Sequence, residues 1–77
     1  MRGAKIQEGD VIRMIEELRT GATAEHLCVV QDVLSTQVRA TYEWRRPDGG
    51  WRERSLWAFL GDIEWDIHKS QWIGTAS

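Results

Sequence analysis

The chain has 77 residues, so it forms one small domain whose stability margin is thin, because a short chain buries a limited share of its surface. Cys28 is the only cysteine, which excludes a disulfide within the chain, and one cysteine with two histidines is too few for a four-ligand structural zinc site. Ten basic and twelve acidic side chains give a net charge of -2, which disfavours general phosphate binding.

The beginning of the chain, MRGAKIQEGD, is polar and contains no apolar run of signal-peptide length. With a lone thiol, this composition predicts a cytoplasmic protein with no membrane segment. We expect three parts: a flexible amino-terminal arm over residues 1–8, a folded domain over residues 9–68, and a carboxy-terminal tail over residues 69–77. The tail carries Trp72 and Ile73, which could dock on the domain.

Residues 10–19 fit either of two secondary structures. Val11, Ile15 and Leu18 have helical spacing, and Asp10 could cap a helix. In a strand, Val11, Arg13 and Ile15 share one face and Ile12 and Met14 the other, so neither face is cleanly apolar. The β-rich sequence that follows nevertheless favours a strand. A helix here would change the fold class from mainly β to α+β.

The next segment, LCVVQDVL, is rich in β-formers and predicts a buried strand over residues 27–34, with a change of direction near Asp32. Cys28 lies among apolar neighbours, so we expect it to be a small buried hydrophobic residue. His26 precedes this strand and His68 follows a later one, so both histidines are predicted to be exposed.

The stretch YEWRRPDGGWRERSLW predicts a hairpin. Pro47 presets φ for the first corner of a type I turn, and Gly49 can take the left-handed position that ends a three-residue loop. This register places Trp44 opposite Arg52 and divides the aromatic side chains between the two faces. A two-residue Asp-Gly loop would shift the pairing by one residue and gather Tyr42, Trp44, Trp51 and Trp57 on one face.

Residues beyond the hairpin predict a single helical or 3₁₀ turn in LWAFLGD, followed by a strand in DIEWDIH. Trp65 alternates with Ile63 and Ile67, so we expect it in the core. Three acidic residues, Asp62, Glu64 and Asp66, share the opposite face. They form either a solvated surface or a row complementary to the basic hairpin of another copy.

These elements predict a mainly β protein, a five-stranded barrel with a 3₁₀ turn before its last strand. Their order resembles the SH3-like small barrel, on the residues GDVI, the PDGG hairpin and SLWAFLGDIEW. The chain is similar to short bacterial barrel proteins with a GDVV motif, and to the type II plasmid dihydrofolate reductases. Those reductases carry a Val-Gln-Ile-Tyr-Pro pore motif where this chain reads RERSL, so the resemblance does not extend to their activity. The first loop and last turn also lack the aromatic and proline residues with which signalling SH3 domains bind proline-rich peptides.

No catalytic, cofactor-binding or metal-binding constellation stands out, and adjacent carboxylates such as Glu16 and Glu17 occur on many solvated loops. We therefore expect a non-catalytic binding or assembly module, which associates with itself or with another protein. Alternatives are a nucleic-acid or nucleoprotein accessory protein, and an oligomeric mini-enzyme with its site on a symmetry axis. Tryptophan, tyrosine and arginine are enriched at interaction hot spots, so the predicted partner-binding residues are Trp44, Arg45, Trp51, Arg52, Arg54 and Trp57.

Overall fold

The computed structural model describes residues 5–77, and these residues are mainly β. The strands are β1 (Val11–Glu17), β2 (Thr23–Val33), β3 (Gln37–Arg45), β4 (Trp51–Phe59), β5 (Ile63–Asp66) and β6 (Gln71–Thr75), with a 3₁₀ turn over Leu60–Asp62. The mainly β class and the 3₁₀ turn near the end of the chain are confirmed. Residues 11–17 form a strand, so the helical alternative for this segment is wrong.

All six strands belong to one sheet, in the order β4-β3-β2-β1-β6-β5. Neighbouring strands are antiparallel except β1 and β6, which are parallel. The sheet is not closed, so β4 and β5 are its two edges. The segment after β6 contacts the β4 edge, because the Ser77 N–H donates to the Trp57 carbonyl oxygen over 2.8 Å.

Residues 5–77 form six strands where the sequence predicted five, because residues 71–75 form a strand rather than a loose tail. This strand lies between β1 and β5, so a domain boundary at residue 68 would divide one sheet. Gly74 permits the close packing: a Cβ there would lie 3.1 Å from both Ile12 Cδ1 and Ile63 Cγ1.

The amino-terminal arm also differs from the prediction where the structure describes it. Residues 1–4 of the predicted arm lie outside the described residues. Ile6 belongs to the core and is only 7% exposed, because its apolar side chain packs against the sheet. The Gln7 N–H donates to the Asp10 carboxylate over 2.8 Å, which fixes the approach to β1.

One face of the sheet, here called the inner face, carries the core. Ile12 and Met14 of β1 alternate into it and are fully buried, as strand periodicity requires. The buried apolar residues are Ile6, Ile12, Met14, Cys28, Val30, Val38, Ala40, Leu56 and Ala58. Burial of Cys28 is therefore confirmed. The register of β2 with β3 shifts between Val30 and Asp32, close to where the sequence predicted a change of direction.

Trp65 was predicted in the core, and this prediction is wrong. Its side chain is 43% exposed because β5 is an edge strand with β6 on one side only. The Trp65 ring packs edge-on against Trp72, with ring centroids 5.2 Å apart. Trp72, rather than Trp65, packs partly buried against the core.

The β3–β4 hairpin adopts the three-residue-loop register. Trp44 pairs with Arg52, Tyr42 with Arg54, and Arg45 with Trp51. The Gly49 N–H donates to the Arg46 carbonyl over 2.9 Å, and Gly49 has a φ of +91°, which glycine adopts without steric cost. The predicted register is confirmed, and the alternative with all four aromatic residues on one face is wrong.

Candidate interaction surface

The end of the β3–β4 hairpin extends beyond the core, and we call residues 43–55 the hairpin arm. Every residue of the hairpin arm is exposed except Arg46, which is half-buried. Trp44 is 40% exposed and Trp51 is 63% exposed. Because strand side chains alternate between faces, exposure of consecutive residues means that neither face of the arm is covered.

The six predicted partner-binding residues divide between the two faces of the hairpin. Trp44, Arg52 and Arg54 follow the inner face, since they share the alternation of Ala40 and Leu56. The outer face carries Arg45, Trp51 and Trp57. The Arg45 guanidinium carbon lies 5.7 Å from the centre of the Trp51 ring, within cation–π range. The structure therefore presents two narrow aromatic surfaces instead of one broad patch.

At the base of the hairpin arm, Arg54 joins a cluster of polar side chains that lies on the inner face. Its guanidinium donates to both carboxylate oxygens of Glu16, with an Nη1–Oε1 distance of 2.9 Å, and to the Tyr42 hydroxyl over 3.0 Å. His26 Nε2 lies 3.1 Å from Glu16 Oε1, and its ring stacks on Tyr42 with centroids 4.2 Å apart. We call Glu16, His26, Tyr42 and Arg54 the polar cluster.

The polar cluster joins four adjacent strands, one residue from each of β1 to β4. Its electrostatics favour the charged form of Glu16: the hydrogen bond from Arg54 holds the pKa of that carboxyl below its ordinary value, against an opposing effect of burial. The same bond, with a further contribution from Tyr42, raises the pKa of Arg54. Burial alone raises the pKa of the Cys28 thiol to about 11, which keeps it protonated and unreactive.

Sequence reasoning missed the polar cluster. His26 was predicted to be exposed, but its side chain is only 21% exposed, because β2 begins at Thr23 and carries His26 inward beside Cys28. His68 is exposed, as predicted. The signal for the cluster was present in β1, where Glu16 continues the inward alternation of Ile12 and Met14.

Most arginines of residues 39–54 are neutralised locally. Arg39 Nε lies 2.7 Å from Asp32 Oδ2, Arg46 Nη2 lies 3.2 Å from Asp48 Oδ2, and Arg54 binds Glu16. Within residues 5–77, Arg45 and Arg52 make no ion pair. Within residues 39–54, the positive charge available to a partner is therefore limited to these two side chains.

The three acidic residues of the predicted complementary face are not equally available to a partner. Asp62 in the 3₁₀ turn and Glu64 on edge strand β5 are exposed. Asp66 is half-buried, and its Oδ1 accepts the N–H groups of His68 over 3.0 Å and Lys69 over 3.2 Å. Asp66 thus caps the β5–β6 turn, and Glu64 is the acidic side chain of β5 most available to a partner.

Over residues 5–77, no three His, Cys, Asp or Glu side chains are grouped as a metal site would require. The same residues include no helix with the length and apolar character needed to cross a membrane. No family model matches the chain, and no curated protein or solved structure matches it.

Proposed function

We propose that this protein is a non-catalytic assembly module that associates with further copies of itself through the hairpin arm. The observation that carries the proposal is the exposure of both faces of the arm, with Trp44 and Trp51 40% and 63% exposed. The three-stranded meander and the 3₁₀ turn support an SH3-like interpretation of the fold. The free, buried Cys28 fits a cytoplasmic setting.

The energetic argument concerns apolar area that folding leaves in water. A tryptophan offers a large apolar surface at a low cost in side-chain entropy, and exposed tryptophans beside arginines are the typical anchors of protein interfaces. Trp51 remains 63% exposed with the Arg45 guanidinium over its ring. Burial of this surface by another protein would recover about 25 cal/mol for each Å² removed from water.

Local neutralisation of the arginines favours a protein partner over nucleic acid. Nucleic-acid binding depends on unpaired basic side chains that replace counterions on phosphates, and three of the five arginines in residues 39–54 already bind carboxylates. The net charge of -2 further opposes a polyanionic partner.

The proposal is tested by measuring the mass of the protein by light scattering over a range of concentrations. We expect a mass above the 8.9 kDa of one chain, and we expect Trp51→Ala to lower it toward that value. Leu27→Ala is the matched control, because Leu27 is also 63% exposed but lies on β2, outside the hairpin arm.

Two results would contradict the proposal in different ways. A wild-type protein that stays at the mass of one chain at the highest concentration rules out self-association. A larger mass that Trp51→Ala and Leu27→Ala leave equally unchanged means that the protein assembles through a surface other than the hairpin arm.

A further inference from the structure

The two edges of the sheet offer backbone groups that strands could pair with. In an antiparallel ladder, alternate residues direct both backbone polar groups toward the partner strand. The Arg46 N–H donates to the Gly50 carbonyl over 2.7 Å, so Trp51, Glu53 and Ser55 direct theirs away from β3. The Trp57 carbonyl follows the same alternation, since it accepts from Ser77.

The free edge of β4 therefore coincides with the hairpin arm. Ser77 reaches the edge at Trp57, and within residues 5–77 no strand lies beside Trp51, Glu53 or Ser55 on that side. Exposed edges of this kind are templates for pairing with another strand. An exposed tryptophan at one end of the segment adds apolar area to the backbone hydrogen bonds.

Charge disfavours pairing of this edge with the same edge of a second copy in the register centred on residue 53. If a two-fold axis pairs two β4 edges antiparallel, the inner faces of the two copies lie on the same side of the joined sheet. Centred on residue 53, the axis sets Glu53 opposite itself and Arg52 opposite Arg54. Like charges directly opposite each other destabilise a strand pair.

The other edge, β5, has the complementary charge. The strand pairings make β4 and β5 run in the same direction at opposite edges. An antiparallel contact between β4 of one copy and β5 of the next therefore requires that one copy be turned over. The inner-face residue Arg52 then lies on the same side as Glu64, which follows the outer face of β5 because it alternates with the inward-facing Ile63 and Trp65.

We propose that the free edge of β4 pairs antiparallel with the β5 edge of a second copy, with Arg52 opposite Glu64 and Trp51 opposite Trp65. This inference rests on the proposed function and names the surface that the hairpin arm binds. A single register forms both pairs. In an antiparallel ladder the numbers of paired residues have a constant sum, and this sum is 116 for both pairs. Both tryptophans are exposed, at 63% and 43%, and aromatic pairs and opposite charges both stabilise strand pairing.

The contact joins β4 of one copy to β5 of the next. After pairing, the first copy keeps a free β5 edge and the second keeps a free β4 edge. Such a heterologous contact produces rings or open chains rather than a closed dimer. The mass should therefore continue to rise beyond that of two chains as concentration increases.

Glu53→Pro tests the edge itself. Proline removes the outward N–H of residue 53 and is tolerated on an edge strand where that N–H faces solvent, so pairing of β4 with β3 should persist. We expect this variant to have the mass of one chain, with an unchanged far-ultraviolet circular dichroism spectrum. Glu53→Ala keeps the N–H and should assemble as the wild type does.

A charge exchange tests the partner. Arg52→Glu and Glu64→Lys should each raise the concentration needed for assembly at least tenfold, and an equimolar mixture of the two variants should restore it. In the mixture, β4 of the Arg52→Glu variant pairs its Glu with the Lys on β5 of the Glu64→Lys variant. The β4 edge of the Glu64→Lys variant and the β5 edge of the Arg52→Glu variant still form the wild-type pair of Arg52 with Glu64. Restoration in the mixture cannot arise from loss of folding in either variant.

The outcomes separate this inference from the proposed function. If Trp51→Ala reduces the mass while Glu53→Pro and Glu64→Lys do not, the hairpin arm mediates assembly but not by pairing with β5, and the inference is overturned. A mass that stops at two chains, with no restoration in the mixture, also overturns it. A wild-type protein with the mass of one chain overturns both proposals.

Discussion

The hairpin arm and the rest of the sheet, here called the body, both direct alternate side chains to opposite faces, but only the body buries one of its faces. In the body, one face buries Ile12, Met14 and Val38 completely, and the other is buried at Thr41 but carries many exposed side chains. In the hairpin arm, Trp44 and Trp51 point to opposite faces and neither is buried. Burial of apolar side chains therefore stabilises the body, while the hairpin arm retains apolar area that folding does not bury.

The comparison predicts that the largest loss of stability comes from truncation of the core. Ile12→Ala should lower the free energy of unfolding by about 2–4 kcal/mol, because it removes buried methylene groups and leaves a cavity. Urea unfolding at one fixed protein concentration measures the change, since association shifts apparent stability. Val11→Ala, on the exposed face of the same strand, should cost less than 1 kcal/mol, and equal losses at the two positions would disprove the assignment of the inner face.

A smaller effect is expected at the polar cluster, which connects the hairpin to the body. Glu16→Gln should lower the free energy of unfolding by about 1 kcal/mol, because Arg54 loses a charged partner at a partly solvated site. The folded-state pKa of Glu16 lies below its ordinary value of 4.5, so the carboxylate contributes its stability above pH 4.5. That contribution is lost as the pH falls from 4.5 through the folded-state pKa.

The pH dependence provides the control for this prediction. Unfolding free energies measured between pH 3 and pH 7 should show a weaker acid dependence in Glu16→Gln than in the wild type. Glu17→Gln removes the neighbouring carboxylate, which is exposed, and should leave the wild-type dependence intact. If both variants retain it, the ion pair with Arg54 does not stabilise the fold.

The smallest effect on stability should come from the hairpin arm. Trp51→Ala should change the unfolding free energy of the single chain by less than about 0.5 kcal/mol, as for other exposed substitutions. Leu56→Ala, on the same strand but 6% exposed, should cost about 2–4 kcal/mol. A large loss for Trp51→Ala, measured in dilute protein, would mean that Trp51 supports the fold rather than an interface.

Local signals explain which parts of the fold could be predicted. The hairpin register depends on Pro47, Asp48 and Gly49, whose backbone preferences act over a few residues. The position of β6 depends instead on a pairing between Ile12 and Trp72, which no neighbouring residue encodes. Because this pairing was not foreseen, residues 69–77 were assigned to a tail and Trp65 to the core.

The residues of the candidate surface could be predicted from the sequence, but their arrangement could be predicted only in part. Exposed arginine and tryptophan side chains could be identified from composition, and their division between faces followed from the register. The partnership of Arg54 with Glu16 spans 38 residues and depends on the curvature of four strands. Sequence periodicity places each side chain on a face but does not specify which distant side chain it meets.

The parallel pairing of β1 with β6 has a consequence for the order of folding. Ile12 meets Trp72 sixty positions further along the chain (72 minus 12), and closing so long a loop has an entropic cost before any contact compensates it. The β2–β3–β4 meander can form from near neighbours, but β1 keeps an unpaired edge until β6 arrives. On a ribosome, β1 would lack its β6 partner until residues 71–75 emerge, and folding should be slow for a domain with so distant a pairing.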